Sequence, residues 1–382
     1  MNFDLTEEHT LLQKNVHQLA EEVIAPGAID RDETKAWPED IVRQLGEMGL
    51  MGVMIPEEWG GAGMDAMAYV IAVEEIARAD AAVSVIMSVN NSLVCDLLRL
   101  FGTDDQKRKY LTSLASGAML GAFSLSEPQA GSDASRLLCR AKRDGDIYRI
   151  SGTKNWVSNG IHANIVMLFA VTDQEKKHKG VSCFIIEKGV EGFSVGKPED
   201  KLGIRSSDTC ELYFDDVKVS ADNLVGEQGD GFKIALATLD GGRIGIAAQA
   251  LGIGQAALDH ALAYAQQREQ FGRRIIDFQA IQFKLADMAT EIEAARLLVR
   301  RAAFAKDQGQ PYSQWAAMAK VFASEAAMNA ATQCVQVHGG YGYIRETGVE
   351  RLMRDAKITQ IYEGTSEIQR VVIARALQKK GL

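Results

Sequence analysis

The chain has 382 residues, 47% of them hydrophobic and 24% charged, an ordinary globular composition that argues against disorder and leaves room for two or three domains. A net charge of -9 argues against a nucleic-acid partner, whose phosphates are met by clustered Lys and Arg. The five cysteines, Cys95, Cys139, Cys183, Cys210 and Cys334, stand singly without a C-x-x-C pair or zinc spacing, so no metal site is expected and a reducing compartment is the simplest setting.

The N-terminal stretch Met1-Asn2-Phe3-Asp4-Leu5-Thr6-Glu7-Glu8 is acidic and lacks the pattern of a signal or transit peptide, which predicts a mature chain starting here in the cytoplasm. No apolar run is expected to reach the ~20 residues that span a bilayer, so no integral membrane segment is expected. From Thr6 to about Leu50, Leu11, Leu12, Val16, Leu19 and Val23 recur at helical spacing, with Thr6 as N-cap. Ile55 to Gly63 is a Pro/Gly loop, and helical sequence resumes from Met67 to about Ser116. Near Gly121 the character changes to short Val/Ile/Phe/Tyr segments separated by turns such as Asp144-Gly145-Asp146, predicting antiparallel strands. After Gly229-Asp230-Gly231-Phe232 the helical period returns, with breaks at Gly272, Gly309-Gln310-Pro311 and Gly339-Gly340-Tyr341-Gly342.

This order predicts an α+β multidomain chain: a helical domain over 1-120, a middle antiparallel β domain over 121-230, and a C-terminal four-helix-bundle domain over 231-382. A doubly wound nucleotide fold is excluded, because its strands and helices would alternate. Gly252-Ile253-Gly254-Gln255-Ala256-Ala257 matches a dinucleotide fingerprint, yet it follows no strand and sits in an Ala-rich helix. Its glycines are expected to let helices approach closely.

Three segments carry chemistry. In Arg354 to Arg370, Gly364 breaks the helix directly after Glu363, and Ser366 with Gln369 has capping-box spacing, so Glu363 is expected on a tight loop between two helices. By spacing alone it reads either as a solvated carboxylate or as a group held against a pocket. The loop Phe123 to Asp133 offers hydroxyls and free amides to a heterocycle edge or phosphate, and Thr153 to Gly160 carries a tryptophan in a polar strand. Each of these two also reads as a structural turn.

Together with Leu239-Asp240-Gly241-Gly242-Arg243-Ile244-Gly245-Ile246-Ala247, Lys201-Leu202-Gly203-Ile204-Arg205 and Ile361 to Arg370, these segments resemble the acyl-CoA dehydrogenase family from end to end, nearest its short-chain, butyryl-CoA branch. The resemblance implies the fold order above, non-covalent FAD, a homotetramer, an acyl-CoA substrate and electron-transfer flavoprotein as acceptor. It implies that Phe123, Leu125, Ser126, Gly131, Ser132, Trp156, Val157 and Ser158 hold the flavin ring. Arg268, Phe271, Gln279, Gln336, Gly339 and Gly340 match residues for the FAD pyrophosphate and adenosine across a subunit interface, and Thr365 and Glu367 match further FAD contacts. Ser132, Leu239, Asp240, Gly242, Arg243, Tyr362 and Gly364 match positions lining the acyl-CoA site.

Glu363 then becomes the base that removes the thioester α-proton, the enolate-like charge being held by the FAD ribityl 2'-hydroxyl and the Glu363 amide, while the β-hydrogen leaves as hydride to give a trans-2-enoyl-CoA. Some branches carry the base directly before the arginine matching Arg243; here that position is Gly242, which leaves Glu363 alone and disfavours the isovaleryl and long-chain branches. Two stretches depart from the family pattern: Ser135-Arg136-Leu137-Leu138-Cys139, near the expected CoA entrance, and His338, expected beside the adenosine. An oxidase-like or branched-chain relative, or an inactive helical scaffold, are the competing readings.

Overall fold

The computed structural model describes residues 4–379, so Met1, Asn2 and Phe3 of the acidic N-terminal stretch lie outside the described residues. The first segment is helical: α1 (Glu7–Leu19), α2 (Ala28–Thr34), α3 (Glu39–Glu47), α4 (Ala66–Ala79), α5 (Ala81–Ser88), α6 (Asp96–Phe101), α7 (Asp104–Gln106) and α8 (Thr112–Ala115). Thr6 caps α1 as expected, its hydroxyl accepting from the His9 amide at 3.2 Å. The apolar repeat does not continue as one helix. A π turn at Ala20–Ile24 and Pro26 in the following 3-10 turn shift the phase, so Ile24 is buried while Val23 turns outward.

Ala81–Phe101 corrects the expectation about apolar runs. This 21-residue stretch is long and apolar enough to cross a membrane, but its most apolar 18-residue window, of mean hydropathy 1.5, is wholly buried inside the protein. Its apolar length reflects enclosure by α4, the later helix Gly231–Gln267 and the first strand, Gly121–Ser124.

Strands β1 (Gly121–Ser124), β2 (Arg140–Asp144), β3 (Ile147–Ser158), β4 (Ile165–Val171), β5 (Val181–Glu187), β6 (Phe193–Val195), β7 (Thr209–Ser220) and β8 (Leu224–Val225) form one eight-stranded sheet in the order β6-β7-β3-β2-β4-β5-β8, with β1 beside β4. The pairing is mainly antiparallel, and β1 with β4, plus Arg140 with Val171, add parallel contacts. Alternation sorts the residues: Met167, Phe169, Cys183 and Ile185 face Val94, Leu97 and Leu98, whereas Val166, Leu168, Phe184 and Ile186 meet Tyr148, Leu212 and Phe214. Two register irregularities in β3, at Ile150/Gly152 and Lys154/Val157, bend it against β7.

The last segment holds α9 (Gly231–Gln267), a hairpin of β9 (Glu269–Gln270) and β10 (Arg273–Arg274), α10 (Gln279–Asp307), α11 (Ser313–His338), α12 (Val349–Thr359) and α13 (Ser366–Lys379). Helix α9 is central and packs on α4, α10, α11 and α12. The fingerprint-like Gly252 lies inside it, and a Cβ there would stand 2.3 Å from the Glu74 carbonyl oxygen. That glycine serves close helix approach, as the sequence context indicated.

Candidate active site

Helix α12 ends at Thr359, and the chain reverses over Gln360 to Thr365 before α13. Glu363 adopts φ +51 and Gly364 φ +93, a left-handed pair that costs a non-glycine residue energy and persists where surroundings hold it. The expected Ser366–Gln369 capping box does not form. Thr365, one residue earlier, accepts from the Ile368 amide at 3.3 Å, while the Gln369 amide group donates to the carbonyls of Glu363 (3.3 Å) and Gly364 (2.8 Å). Lys320 Nζ of α11 donates to the same Gly364 carbonyl at 2.7 Å.

So held, the Glu363 side chain points inward. The residue as a whole is half-buried, but Oε2 is shielded from solvent and has no hydrogen-bond partner among the described residues. Burial pushes its pKa up from 4.5 to about 7, against the opposing pull of Lys320 and Arg243. Gly242 of α9 faces the carboxylate so closely that a Cβ would lie 2.1 Å from Oε2 and 2.7 Å from Leu93 Cδ2. The missing side chain is therefore what admits the base. Arg243 is buried and paired with Asp240, which also accepts from Ser313 at 2.9 Å. Tyr362 donates to Gln249, and Tyr69 and Ser88 share a hydrogen bond at 2.8 Å opposite Gly245.

A second centre lies at the sheet. Leu125 is buried and Ser126 half-buried; the Ser126 carbonyl accepts from the Asn155 amide at 2.9 Å, joining the loop to the bulged part of β3. Within that bulge Trp156 takes φ +60 and is 61% exposed, while Val157 is buried and Ser158 half-buried. The bulge thus aims an indole outward from a strand whose neighbours are anchored. Lys154, completely buried, donates to the Leu125 carbonyl at 2.9 Å and to Glu127 at 2.8 Å. Glu127 also accepts from the amides of Leu138 (2.6 Å) and Cys139 (3.0 Å). Burial raises its pKa, but Lys154 and these amides outweigh burial and hold the carboxyl below its usual range. Phe123 tilts against Phe169 at 4.9 Å, and Gly131 and Ser132 are exposed.

The remaining expected residues lie elsewhere. Arg268, Gly339 and Gly340 line a cavity of about 550 Å³ with Tyr264 and His338. Phe271, Gln279 and Gln336 are exposed, Phe271 at 94%. The structure therefore gathers Gly242, Arg243, Tyr362 and Gly364 around Glu363 and does not bring Arg268, Gly339 or Gly340 there. Thr365 is half-buried and Glu367 exposed at the start of α13.

The two departures from the family pattern have structural settings. His338 stacks on Tyr264 with ring centroids 4.2 Å apart and hydrogen-bonds the Cys334 carbonyl at 2.8 Å; burial lowers its pKa. Ser135, Arg136, Leu137 and Leu138 line a cavity of about 420 Å³ with Lys177 and His178. Sequence reasoning left out Lys154, Glu127, Lys320, Gln369 and Gln249 as functional residues. A signal existed for Lys320, which occupies the buried stripe Ala316, Ala319, Ala323 and Ala327 where an apolar residue belongs.

Against this geometry the comparisons with known proteins are specific. The chain matches "Acyl-CoA dehydrogenase, N-terminal domain" over residues 6–118, the middle domain over 122–217 and the C-terminal domain over 229–378. It is 49% identical to the short-chain specific acyl-CoA dehydrogenase of Clostridium acetobutylicum, covering 98% of this chain and 99% of that one. The solved butyryl-CoA dehydrogenase of Megasphaera elsdenii superposes with TM-score 0.97 at 48% identity, covering 99% of this chain and 100% of that one. A chain from a structure described for the electron transferring flavoprotein of Acidaminococcus fermentans, on flavin-based electron bifurcation, gives TM-score 0.98 at 49% identity and 99% coverage of both. The protein belongs to the acyl-CoA dehydrogenase family of oxidoreductases.

Proposed function

We propose that the protein is an FAD-dependent, short-chain acyl-CoA dehydrogenase in which Glu363 removes the α-proton of the thioester. The observation that carries this is the shielded, unpartnered Glu363 Oε2 facing Gly242, held by a left-handed turn. A carboxylate with raised proton affinity is matched to a weakly acidic carbon, and absence of a side chain at 242 leaves room beside it. The Glu363 amide donates to the thioester carbonyl, where enolate charge accumulates. Gly242, Arg243, Asp240, Leu239, Tyr362, Gly364 and Ser132 line the acyl-CoA site, and the similarity to short-chain and butyryl-CoA enzymes supports a short acyl chain.

The chain's own features fit a flavin. Trp156 presents an exposed indole on a rigid bulge, and the Leu125–Ser126 loop beside it is pinned by the Lys154–Glu127 pair. Phe123, Leu125, Ser126, Gly131, Ser132, Trp156, Val157 and Ser158 would hold the ring; Thr365 and Glu367 would add contacts. Arg268, Phe271, Gln279, Gln336, Gly339 and Gly340 would take the pyrophosphate and adenosine. Bound FAD supplies the acceptor for the hydride that leaves the β-carbon.

Residues 1-120, 121-230 and 231-382 form the three domains in this reading. The enzyme is a cytoplasmic homotetramer passing electrons to electron-transfer flavoprotein. Five free, buried cysteines support a reducing compartment, exposed aromatics on the C-terminal helices support association, and the similarity to a chain described with such a flavoprotein supports the acceptor.

The test is anaerobic flavin bleaching by C4, C6, C8, C12 and branched acyl-CoAs. The fastest bleaching is expected at C4 to C6, and a preference for C12 would sink the short-chain reading. Glu363→Gln should stay yellow and bind acyl-CoA while bleaching about 10²–10⁴-fold more slowly. Residual bleaching near the wild-type rate would point to another base.

A further inference from the structure

Lys320 lies on α11 with its side chain fully buried. Its Nζ donates to the Gly364 carbonyl at 2.7 Å, directly after Glu363. Burying an ammonium is costly, so its presence calls for a reason that a neutral donor would not satisfy. Gln369 is such a donor: also fully buried, it reaches the same carbonyl at 2.8 Å and the Glu363 carbonyl at 3.3 Å. Holding the turn alone does not require a charge at 320.

We propose that Lys320 is a positioning residue for the base: its ammonium anchors the Gly364 carbonyl and fixes the Glu363 turn, while its charge keeps the adjacent carboxyl in the ionised, proton-accepting form. This rests on the reading of Glu363 as the base.

Arg243 of α9, itself paired with Asp240, and Glu367 of α13 act on Lys320 together with Glu363; the phenols of Tyr69 on α4 and Tyr362 on the turn lie in the field of Glu363. Burial pushes Lys320 down from 10.5 to about 8, against the pull of Glu363. Burial likewise raises Glu363 to about 7, against Lys320 and then Arg243. Each member of the pair favours the charged form of the other, so a protonated Lys320 promotes ionisation of Glu363. Without that charge, burial acts on the carboxyl with one opposing cation fewer, and ionisation moves to higher pH.

The experiment measures single-turnover flavin bleaching by butyryl-CoA against pH in the FAD-loaded enzyme, with an infrared titration of the Glu363 carboxyl band. Glu363→Gln serves as the blank. In Lys320→Met the acid limb should move up by about one pH unit, making bleaching at pH 7 about fivefold slower and restoring it toward the wild-type rate at pH 9. The infrared titration should shift equally. Lys320→Gln, which keeps a donor but no charge, should show the same shift. Gln369→Leu removes the neutral clamp and should slow bleaching at every pH without moving the limb.

Limbs at the wild-type pH in both Lys320 variants would overturn the proposal, as would loss of flavin from both, which makes the residue structural. If Lys320→Met does not fold, Lys320→Gln decides alone. A Glu363→Gln enzyme that still bleaches would instead defeat the base assignment, whatever the Lys320 variants do.

Discussion

Burial raises the proton affinity of Glu363 while Lys320 and Arg243 restrain it, and the balance near pH 7 has two consequences. The carboxylate is the active form, so bleaching should rise with pH through about 7. Stability should run the other way. The folded pKa lies above the ordinary 4.5, so the contribution of this group is fully present below 4.5 and is lost as pH rises through about 7. Glu363→Gln should therefore be more stable than wild type at pH 8, by about 3 kcal/mol, and show little difference at pH 4. Urea denaturation at both pH values checks this, and an equal effect at both would contradict it. Gly242→Ala tests the space beside the base. Alanine favours a helix interior over glycine by about 1 kcal/mol, yet its Cβ would stand 2.1 Å from Oε2. The variant should fold and keep FAD while bleaching about 10²-fold more slowly, since a displaced base loses its alignment.

At the scale of elements, the bulged strand and the loop it holds depend on one buried ion pair. Lys154 and Glu127 are both almost fully shielded, so Lys154→Met leaves a buried carboxylate without its cation, at a cost of about 3–5 kcal/mol. Lower FAD occupancy and a lower unfolding temperature are expected, and unchanged flavin content would separate this pair from the loop's function. Gly252→Ala tests the other packed contact: a Cβ 2.3 Å from the Glu74 carbonyl forces α9 away from α4, and overpacking of this kind costs about 1–3 kcal/mol, more than the gain in helix propensity. The segment order was visible in the sequence because apolar period changes sharply near Gly121 and Gly231. Thr6 and Gly364 marked their boundaries for local reasons, one as a hydroxyl cap and one as a left-handed glycine. The π turn after Leu19 was not visible, since its phase shift is decided by packing of Ile24. Nor was the cap at Thr365, because Ser366 and Thr365 are equally competent by type and only the turn geometry selects between them. Lys154 looks like a surface lysine until tertiary contacts enclose it, whereas Lys320 stood out only by its place in an alanine stripe.

The isolated chain exposes 17297 Å², whereas a compact monomer of this length would expose about 15,000 Å². Large aromatics account for part of the excess in the C-terminal segment: Phe271 is 94% exposed on the β9–β10 hairpin, Tyr343 86%, and Phe283 62% on α10. Burying a side chain such as Phe is worth about 1.5–3 kcal/mol, so leaving several in water favours association through this surface. In a symmetric assembly one substitution acts at every equivalent contact, which multiplies its effect. Phe283→Asp should convert the proposed tetramer into smaller species in sedimentation at micromolar concentration. Because the family resemblance puts the FAD pyrophosphate and adenosine across a subunit interface, the smaller species should also lose FAD on gel filtration, and added FAD should restore part of the larger form. An unchanged sedimentation coefficient would show that α10 faces solvent in the assembly, whereas smaller particles that keep their flavin would place the complete cofactor site within one chain.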